Sequence, residues 1–239
     1  MNKVFKIVSE YIIGLIFGAF IMGLVWLMIP NADAQEVEVG IGISQYKDRG
    51  DGYWVQEGFQ NKLSLKAPSL ELGVTGNILS YGIVGVDWAI DWNYLGVVHT
   101  QAMATPSDPN YNPITKKCNG NCWKLSNFVG SGHDQGVSFV ARPYVSYESL
   151  RIEFELGPYI HKNTWSETVY DWHGTEFGPM ATVNVKSDGK WQLDYVIGFN
   201  VSKGNYTLKY QYFKNQSYKD DPYGAIWSGA HNVSITYKF

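Results

Sequence analysis

The chain has neither an excess of basic residues nor a long apolar run after residue 34. It holds 19 Lys and Arg against 22 Asp and Glu, for a formal net charge of -3. A mildly acidic protein lacks the positive charge with which nucleic-acid-binding proteins displace counterions, so we do not expect nucleic acid as a partner. Without an apolar stretch near 20 residues, the part after residue 34 cannot cross a membrane as a helix.

The first 34 residues are different in character. Lys3 and Lys6 precede an uncharged, mostly apolar run from residue 11 to 29, and Ala32-Asp33-Ala34 follows. A basic start, an apolar core and a small-x-small end are typical of a secretory signal peptide. We therefore predict a signal peptide over residues 1–34, with cleavage before Gln35. The apolar run is also long enough for the alternative, an uncleaved anchor helix.

The remaining residues, 35–239, alternate between apolar and polar side chains. Near the start, Val37, Val39, Ile41 and Ile43 fall on one face of a strand and the intervening residues on the other. Eight stretches have this period of two: 36–44, 68–76, 81–92, 136–148, 151–161, 191–201, 205–213 and 231–239. The sequence therefore predicts an all-β protein of eight strands.

The connections between these strands alternate in length. Three are short, at 76–80, 148–149 and 203–204, and four are long, at about 47–67, 94–135, 162–190 and 215–228. All long loops must then lie at one end. Short turns at one end, long loops at the other and an even strand number are typical of transmembrane β-barrels. We predict one domain over 35–239, an eight-stranded antiparallel transmembrane β-barrel with four long extracellular loops.

The polar face of the strands carries charges of both signs, and the apolar face carries many aromatic residues. A soluble sandwich or lipocalin-like barrel would point the apolar face inward, but eight strands enclose too narrow a space for so many large rings. With lipid outside, the charges form a network that fills the lumen as a plug. The predicted network comprises Glu38, Glu71, Asp87, Asp91, Arg142, Arg151, Glu153, Glu155, Asp194, Lys209 and Lys238.

The last strand carries a family resemblance. Val233, Ile235, Tyr237 and the terminal Phe239 alternate with polar residues. This pattern resembles the C-terminal signature by which bacterial outer-membrane barrels are recognised for assembly. The eight-strand plan is similar to small surface barrels of the attachment-invasion and phage-lysogen type. The resemblance implies a monomer in the outer membrane, in contact with its lipid and lipopolysaccharide and inserted by the barrel assembly machinery.

Cysteine is scarce, and both copies lie close together. Cys118 and Cys122 fall in the longest predicted loop. An oxidising compartment favours a disulfide between them. A metal site would need about four ligands, and only His99 or His133 could add to the pair, so we predict no metal.

No catalytic constellation stands out, so we predict a non-enzymatic protein without a cofactor. His231 and Ser234 fall on opposite faces of one strand, and Asp171 with His173 forms at most part of a protease-like rim. A lipid-modifying enzyme or a protease of the outer membrane remains the alternative. Loops on a rigid scaffold usually carry recognition. The predicted contact residues for an unknown surface partner, host- or phage-related, are Tyr111, Trp123, Trp165 and Trp172.

Overall fold

The fold was analysed in a computed structural model that describes residues 36–48, 60–105, 110–112, 114–115, 117–120, 125–172, 181–215 and 225–239. Within these ranges the regular structure consists of antiparallel strands. They are β1 Glu36–Asp48, β2 Asn61–Ser64, β3 Lys66–Tyr81, β4 Val84–Tyr94, β5 Val98–Ala104, β6 Tyr111–Asn112, β7 Lys117–Cys118, β8 Ser126–Tyr147, β9 Leu150–Trp172, β10 Ala181–Asp188, β11 Gln192–Lys203, β12 Tyr206–Lys214 and β13 Trp227–Lys238.

Eight of the described strands close into a ring. Their order is β1, β3, β4, β8, β9, β11, β12 and β13, and β13 pairs again with β1. The last strand meets the first over a long register, from Glu38 opposite Lys238 to Tyr46 opposite Ala230. Closure leaves no open sheet edge around the ring. The predicted all-β, eight-stranded antiparallel barrel is confirmed by this pairing.

One end of the ring, which we call the turn end, has three two-residue turns. They lie at Gly82-Ile83, Glu148-Ser149 and Gly204-Asn205. Gly82 and Gly204 have φ angles of +58° and +59°, a conformation that glycine adopts without steric cost.

The predicted short turn at residues 76–80 is wrong, because these residues continue β3 up to Tyr81. A Cβ on Gly76 would lie 2.7–2.8 Å from the Trp88 ring, so this glycine makes room for a neighbouring side chain rather than for a turn. A register shift between Asn77 and Leu79 accompanies it.

The opposite end, the loop end, contains more strand than the sequence predicted. β8 and β9 run on beyond the ring, where β8 pairs with β5 and β9 pairs with β10. β2 joins the outer side of β5. Parts of the first three predicted loops are therefore strands. We call β2, β5, β10 and the adjoining parts of β8 and β9 the loop-end sheet.

The ring is apolar outside and polar inside. Ile41 and Ile235 are 67% and 58% exposed, whereas Glu38, Arg142 and Lys209 are at most 1% exposed. On β9 the outward apolar positions run from Ile152 to Ile160, about 26 Å along the strand. Exposed aromatic rings flank this apolar surface: Tyr81, Tyr147, Tyr206 and Phe239 at the turn end, and Trp191 and Tyr195 towards the loop end.

The apolar core lies at the loop end. It includes Tyr46, Leu95, Phe128, Trp165 and Trp227, which are buried between the ring and the loop-end sheet. The predicted signal peptide, including its alternative as an anchor helix, lies outside the described residues. Within the described ranges no helix is long and apolar enough to span a membrane.

Candidate functional site

The barrel interior is built around Arg142, which projects inward from the part of β8 that pairs with β4. Its guanidinium donates to Glu38 at 3.0 and 3.1 Å, to Asp91 at 2.6 Å and to Glu155 at 2.8 Å. These acids come from β1, β4 and β9, so one side chain joins four strands. The fork of an arginine suits such multiple carboxylate contacts, and bonds of this kind are stronger than bonds between neutral groups.

Lys209 on β12 supplies the second buried cation. Its Nζ lies 2.6 Å from Glu38 Oε2 and also contacts Glu71. Glu38, Glu71 and Asp91 bring carboxylate oxygens within 4.8 Å of one another, a spacing that could suit a metal ion. The Lys209 ammonium, however, already bridges Glu38 and Glu71, where a metal ion would have to bind. We therefore assign this cluster to ion pairing.

We define the central network as the charged residues Glu38, Glu71, Asp91, Arg142, Glu155 and Lys209. Neutral side chains donate further hydrogen bonds to its carboxylates. Gln211 donates to Glu155 at 2.9 Å, and Asn200 donates to the same carboxylate at 3.2 Å. Ser234 donates to Glu71 at 3.4 Å. With these residues all eight ring strands reach the network. Charges buried in this way are tolerated because they are paired and hydrogen-bonded.

A smaller charged group lies below the central network, near the turn end. Arg151 contacts Asp87 and lies 2.7 Å from Glu153, and its guanidinium stacks 3.4 Å above the Tyr144 ring. Asn200 donates to Glu153 at 3.3 Å and to Glu155 at 3.2 Å and so connects this group to the central network. Lys238 lies 3.3 Å from Glu38. Ten of the eleven predicted network residues thus lie in two connected groups inside the ring.

The eleventh predicted residue, Asp194, belongs to a separate group that the sequence reasoning did not find. Its carboxylate lies 3.1 Å from His161 Nε2, and His161 Nδ1 lies 3.1 Å from both oxygens of Asp134. Tyr159 donates to Asp134 at 3.1 Å and stacks on the His161 ring. We call Tyr159, His161, Asp134, Asp194, Asn163 and Asn215 the junction cluster.

The period of two contained the signal for four of the six members of the junction cluster, among them Asp194, which it had already predicted to face inward. Tyr159, His161 and Asn163 continue the inward face that begins with Glu153 and Glu155. Asp134 and Asn215 were assigned to loops, so their approach to His161 was not predictable from the alternation.

Two of the four predicted partner-contact residues lie where their surroundings can be described only in part. Tyr111 is in the small β6–β7 hairpin, and Trp172 is the last residue of β9. Trp123 lies outside the described residues.

Trp165 is a correction, since it is 2% exposed and cannot offer its ring to a partner. It packs edge-on against Trp227 at 5.7 Å, because β9 continues as a strand and turns this side chain into the core. Its indole donates to Glu167 at 3.1 Å. Burial raises the pKa of the Glu167 carboxyl, and the indole bond opposes that rise.

The outward side of the loop-end sheet is polar. Register aligns Ser64, His99, Ser131, Ser166 and Lys186 in one row across all five strands. This face continues the outer wall of the barrel above its apolar surface.

The remaining sequence predictions concern cysteine and enzyme chemistry. Cys118 ends β7, and Cys122 lies outside the described residues, so the disulfide stays a prediction. Asp171 is exposed near the end of β9, while His173 lies outside the described residues. His231 faces the Tyr210 hydroxyl, whereas Ser234 turns inward to Glu71. His231 and Ser234 therefore do not form a catalytic pair.

Comparison with known proteins gives structural likeness alone. No protein-family model matches the chain, and no curated protein matches it. The attachment invasion locus protein Ail of Yersinia pestis, solved with the heparin analogue sucrose octasulfate, is similar at 16% identity and a TM-score of 0.37, over 87% of this chain and 100% of that one.

Two further solved structures are similar. The backbone structure of Ail in a phospholipid nanodisc has 15% identity and a TM-score of 0.31, over 86% of this chain and 100% of that one. The translocator domain of the autotransporter NalP from Neisseria meningitidis has 10% identity and a TM-score of 0.22, over 97% and 98% of the two chains.

Proposed function

We propose that this protein is a non-enzymatic barrel of the bacterial outer membrane whose extracellular strands and loops bind a partner at the cell surface. The observation that carries the proposal is the inside-out distribution of side chains. Ile41, Phe199 and Ile235 are 67%, 48% and 58% exposed on the ring, while its interior is charged. In water such an exterior would be a large exposed apolar surface, which soluble monomers avoid. In a bilayer it matches the lipid.

The dimensions and the aromatic rings agree with a bilayer. The outward apolar positions of β9 span nine residues from Ile152 to Ile160, close to the roughly 9–11 residues of a tilted transmembrane strand. Aromatic side chains prefer membrane–water interfaces, where Tyr206 and Phe239 at one end and Trp191 at the other would lie. The turn end is then periplasmic and the loop end extracellular.

The charged interior supports a structural rather than a transport role. Arg142 and Lys209 cross the lumen and hold acids from opposite walls. An eight-stranded barrel has an interior narrow enough for side chains to fill, and these buried ion pairs are suited to that role. An open water-filled pore would require this network to break.

The loop end supports a role in recognition. The loop-end sheet stands clear of the apolar surface and presents hydroxyl, histidine and lysine side chains outward. The candidate partners are host surfaces, other envelope proteins and phage components. Exposed or half-buried lysines that follow the apolar positions, Lys47, Lys66, Lys162 and Lys214, suit contact with phosphate groups of lipopolysaccharide.

Three steps of maturation belong to the same proposal. A signal peptide over residues 1–34 would be removed before Gln35, which N-terminal sequencing of outer-membrane fractions checks. The barrel assembly machinery would read Val233, Ile235, Tyr237 and Phe239. Oxidation would join Cys118 and Cys122, which comparing masses after thiol labelling with and without reductant would reveal.

The main test separates location from activity. Folded protein should fractionate with the outer membrane and migrate differently before and after boiling in detergent gels. Recovery of the folded chain in the soluble fraction would contradict the membrane assignment. Incubation with lipid A or with peptides should leave their mass spectra unchanged. Turnover that is lost on His161→Gln would instead favour an outer-membrane enzyme.

A further inference from the structure

The junction cluster lies where two long strands exchange their partners. Residues 135–145 of β8 pair with β4, and residues 126–132 pair with β5. Asp134 lies between these two parts of the strand. β9 pairs with β11 up to His161 and with β10 from Thr164 onward. The contact between Asp134 and His161 therefore bridges the point where the ring ends and the loop-end sheet begins.

The hydrogen bonds of His161 determine its protonation. Nδ1 lies 3.1 Å from both oxygens of Asp134, and Nε2 lies 3.1 Å from Asp194 Oδ2. Tyr159 and Asn215 also donate to the Asp134 oxygens, so this carboxylate is used as an acceptor. Two ionised carboxylates can only accept hydrogen bonds, and between them both ring nitrogens donate. A ring with two N–H donors is a cation.

We propose that His161 is held as an imidazolium and that its charge fastens the loop-end sheet to the barrel. The ring is fully buried, with Tyr159 stacked on it at 4.7 Å. Through Asp134 it reaches Tyr46 of β1, whose hydroxyl accepts the Asp134 backbone N–H at 3.0 Å and donates to Gly96 at 2.8 Å. A Cβ at Gly96 would lie 2.0 Å from the Pro68 carbonyl oxygen, so this contact requires glycine.

The same cluster fixes the chain on both sides of the last long loop. Asn215 donates to Asp134 at 3.3 Å and to Asn163 at 2.9 Å, and the Trp227 indole donates to Asn163 at 3.2 Å. Asn215 follows β12 and Trp227 begins β13. The junction cluster, with the imidazolium at its centre, thus joins β1, β8, β9, β11, the end of β12 and the start of β13.

Removal of the charge on His161 should loosen the loop-end sheet from the ring. The groups that face His161 are Asp134 from β8, Asp194 from β11 and the phenol of Tyr159 from its own strand, with the phenol of Tyr46 behind Asp134. With a neutral side chain at position 161, two carboxylates would remain buried together without a cation between them. Buried acids of like charge repel, so the joint should open while the ring below, held by Arg142 and Lys209, stays closed.

The first experiment reads the proton directly. Nitrogen NMR of the folded protein with labelled histidine should show both ring nitrogens of His161 protonated at neutral pH, with the signal assigned by its loss in His161→Gln. One unprotonated nitrogen would overturn the proposal. The spectrum itself comes from the unaltered protein, and if His161→Gln folds poorly the signal is assigned by elimination, from single replacements of the other four histidines.

The second experiment measures by hydrogen exchange how firmly the loop-end sheet is held to the ring. In His161→Gln, backbone amides of residues 126–132 and 164–170 should exchange at least about tenfold faster, while amides of β11 and β12 in the ring keep their rates. His231→Gln is the matched control, since His231 lies on the outer wall against Tyr210, and it should change neither set. Alkaline pH should reproduce the effect in the unaltered protein. Equal acceleration in both regions, or none, would show that the charge does not act at the joint.

Discussion

Replacement of Arg142 by methionine is the sharpest test of the interior. Methionine keeps much of the length of the side chain but removes a guanidinium that binds Glu38, Asp91 and Glu155 at 2.6–3.1 Å. Loss of one partner from a buried ion pair costs about 3–5 kcal/mol, because the other charge stays behind unpaired. Three carboxylates lose a partner here, but Lys209 still holds Glu38.

We therefore expect a loss of at least about 3–5 kcal/mol in the free energy of unfolding, which is about two to three and a half powers of ten in the unfolding equilibrium. Denaturant titration in detergent or lipid, followed by tryptophan fluorescence, measures it. Acid should restore part of the stability, since protonated carboxyls no longer repel. Arg151→Met is the control, because Arg151 is 25% exposed and its pairs are partly screened by water. An equal loss in both variants, or a loss for Arg142→Met below about 1 kcal/mol, would refute the reasoning.

Three further predictions follow from single positions. Glu167→Gln should stabilise the loop-end sheet at neutral pH, as measured by hydrogen exchange. Because burial raises the pKa of Glu167 in the folded protein, the stability that its protonated carboxyl contributes is fully present below the unfolded-state pKa and is lost as the pH rises through the folded-state pKa. The variant should therefore show no gain in acid. Deletion of Phe239, which is 72% exposed and contacts Tyr237, should leave refolding in detergent intact but lower the yield in the outer membrane, whereas Lys238→Ala should not produce that split; equal losses in both assays would point to stability alone. Trp165→Ala should cost about 3–5 kcal/mol by leaving a cavity beside Trp227, and an unchanged denaturation midpoint would place that ring outside the core.

Strand number and sidedness could be read from the sequence because both are local properties. The period of two assigned Ile41 and Ile235 to one face and Glu38 and Arg142 to the other, without knowledge of any neighbour. The alternation of short and long connections predicted that the long ends of the strands lie together at one end of the ring. The turn predicted at Gly76 was wrong for an equally local reason. A glycine that makes room for the Trp88 ring cannot be distinguished in the sequence from a glycine in a turn.

Partnership between distant residues was decided only by the tertiary structure. Alternation gave a list of inward charges, but it could not say that Arg142 would meet three acids and Asp194 would meet His161 instead. Those pairings depend on the stagger between strands that lie far apart in the chain. The loop-end sheet arose in the same way: β5 and β10 are strands because the long ends of β8 and β9 offer them a pairing edge, and this edge buries Trp165. A short polar segment has no such preference by itself, because a strand is stabilised by the neighbour to which it is hydrogen-bonded.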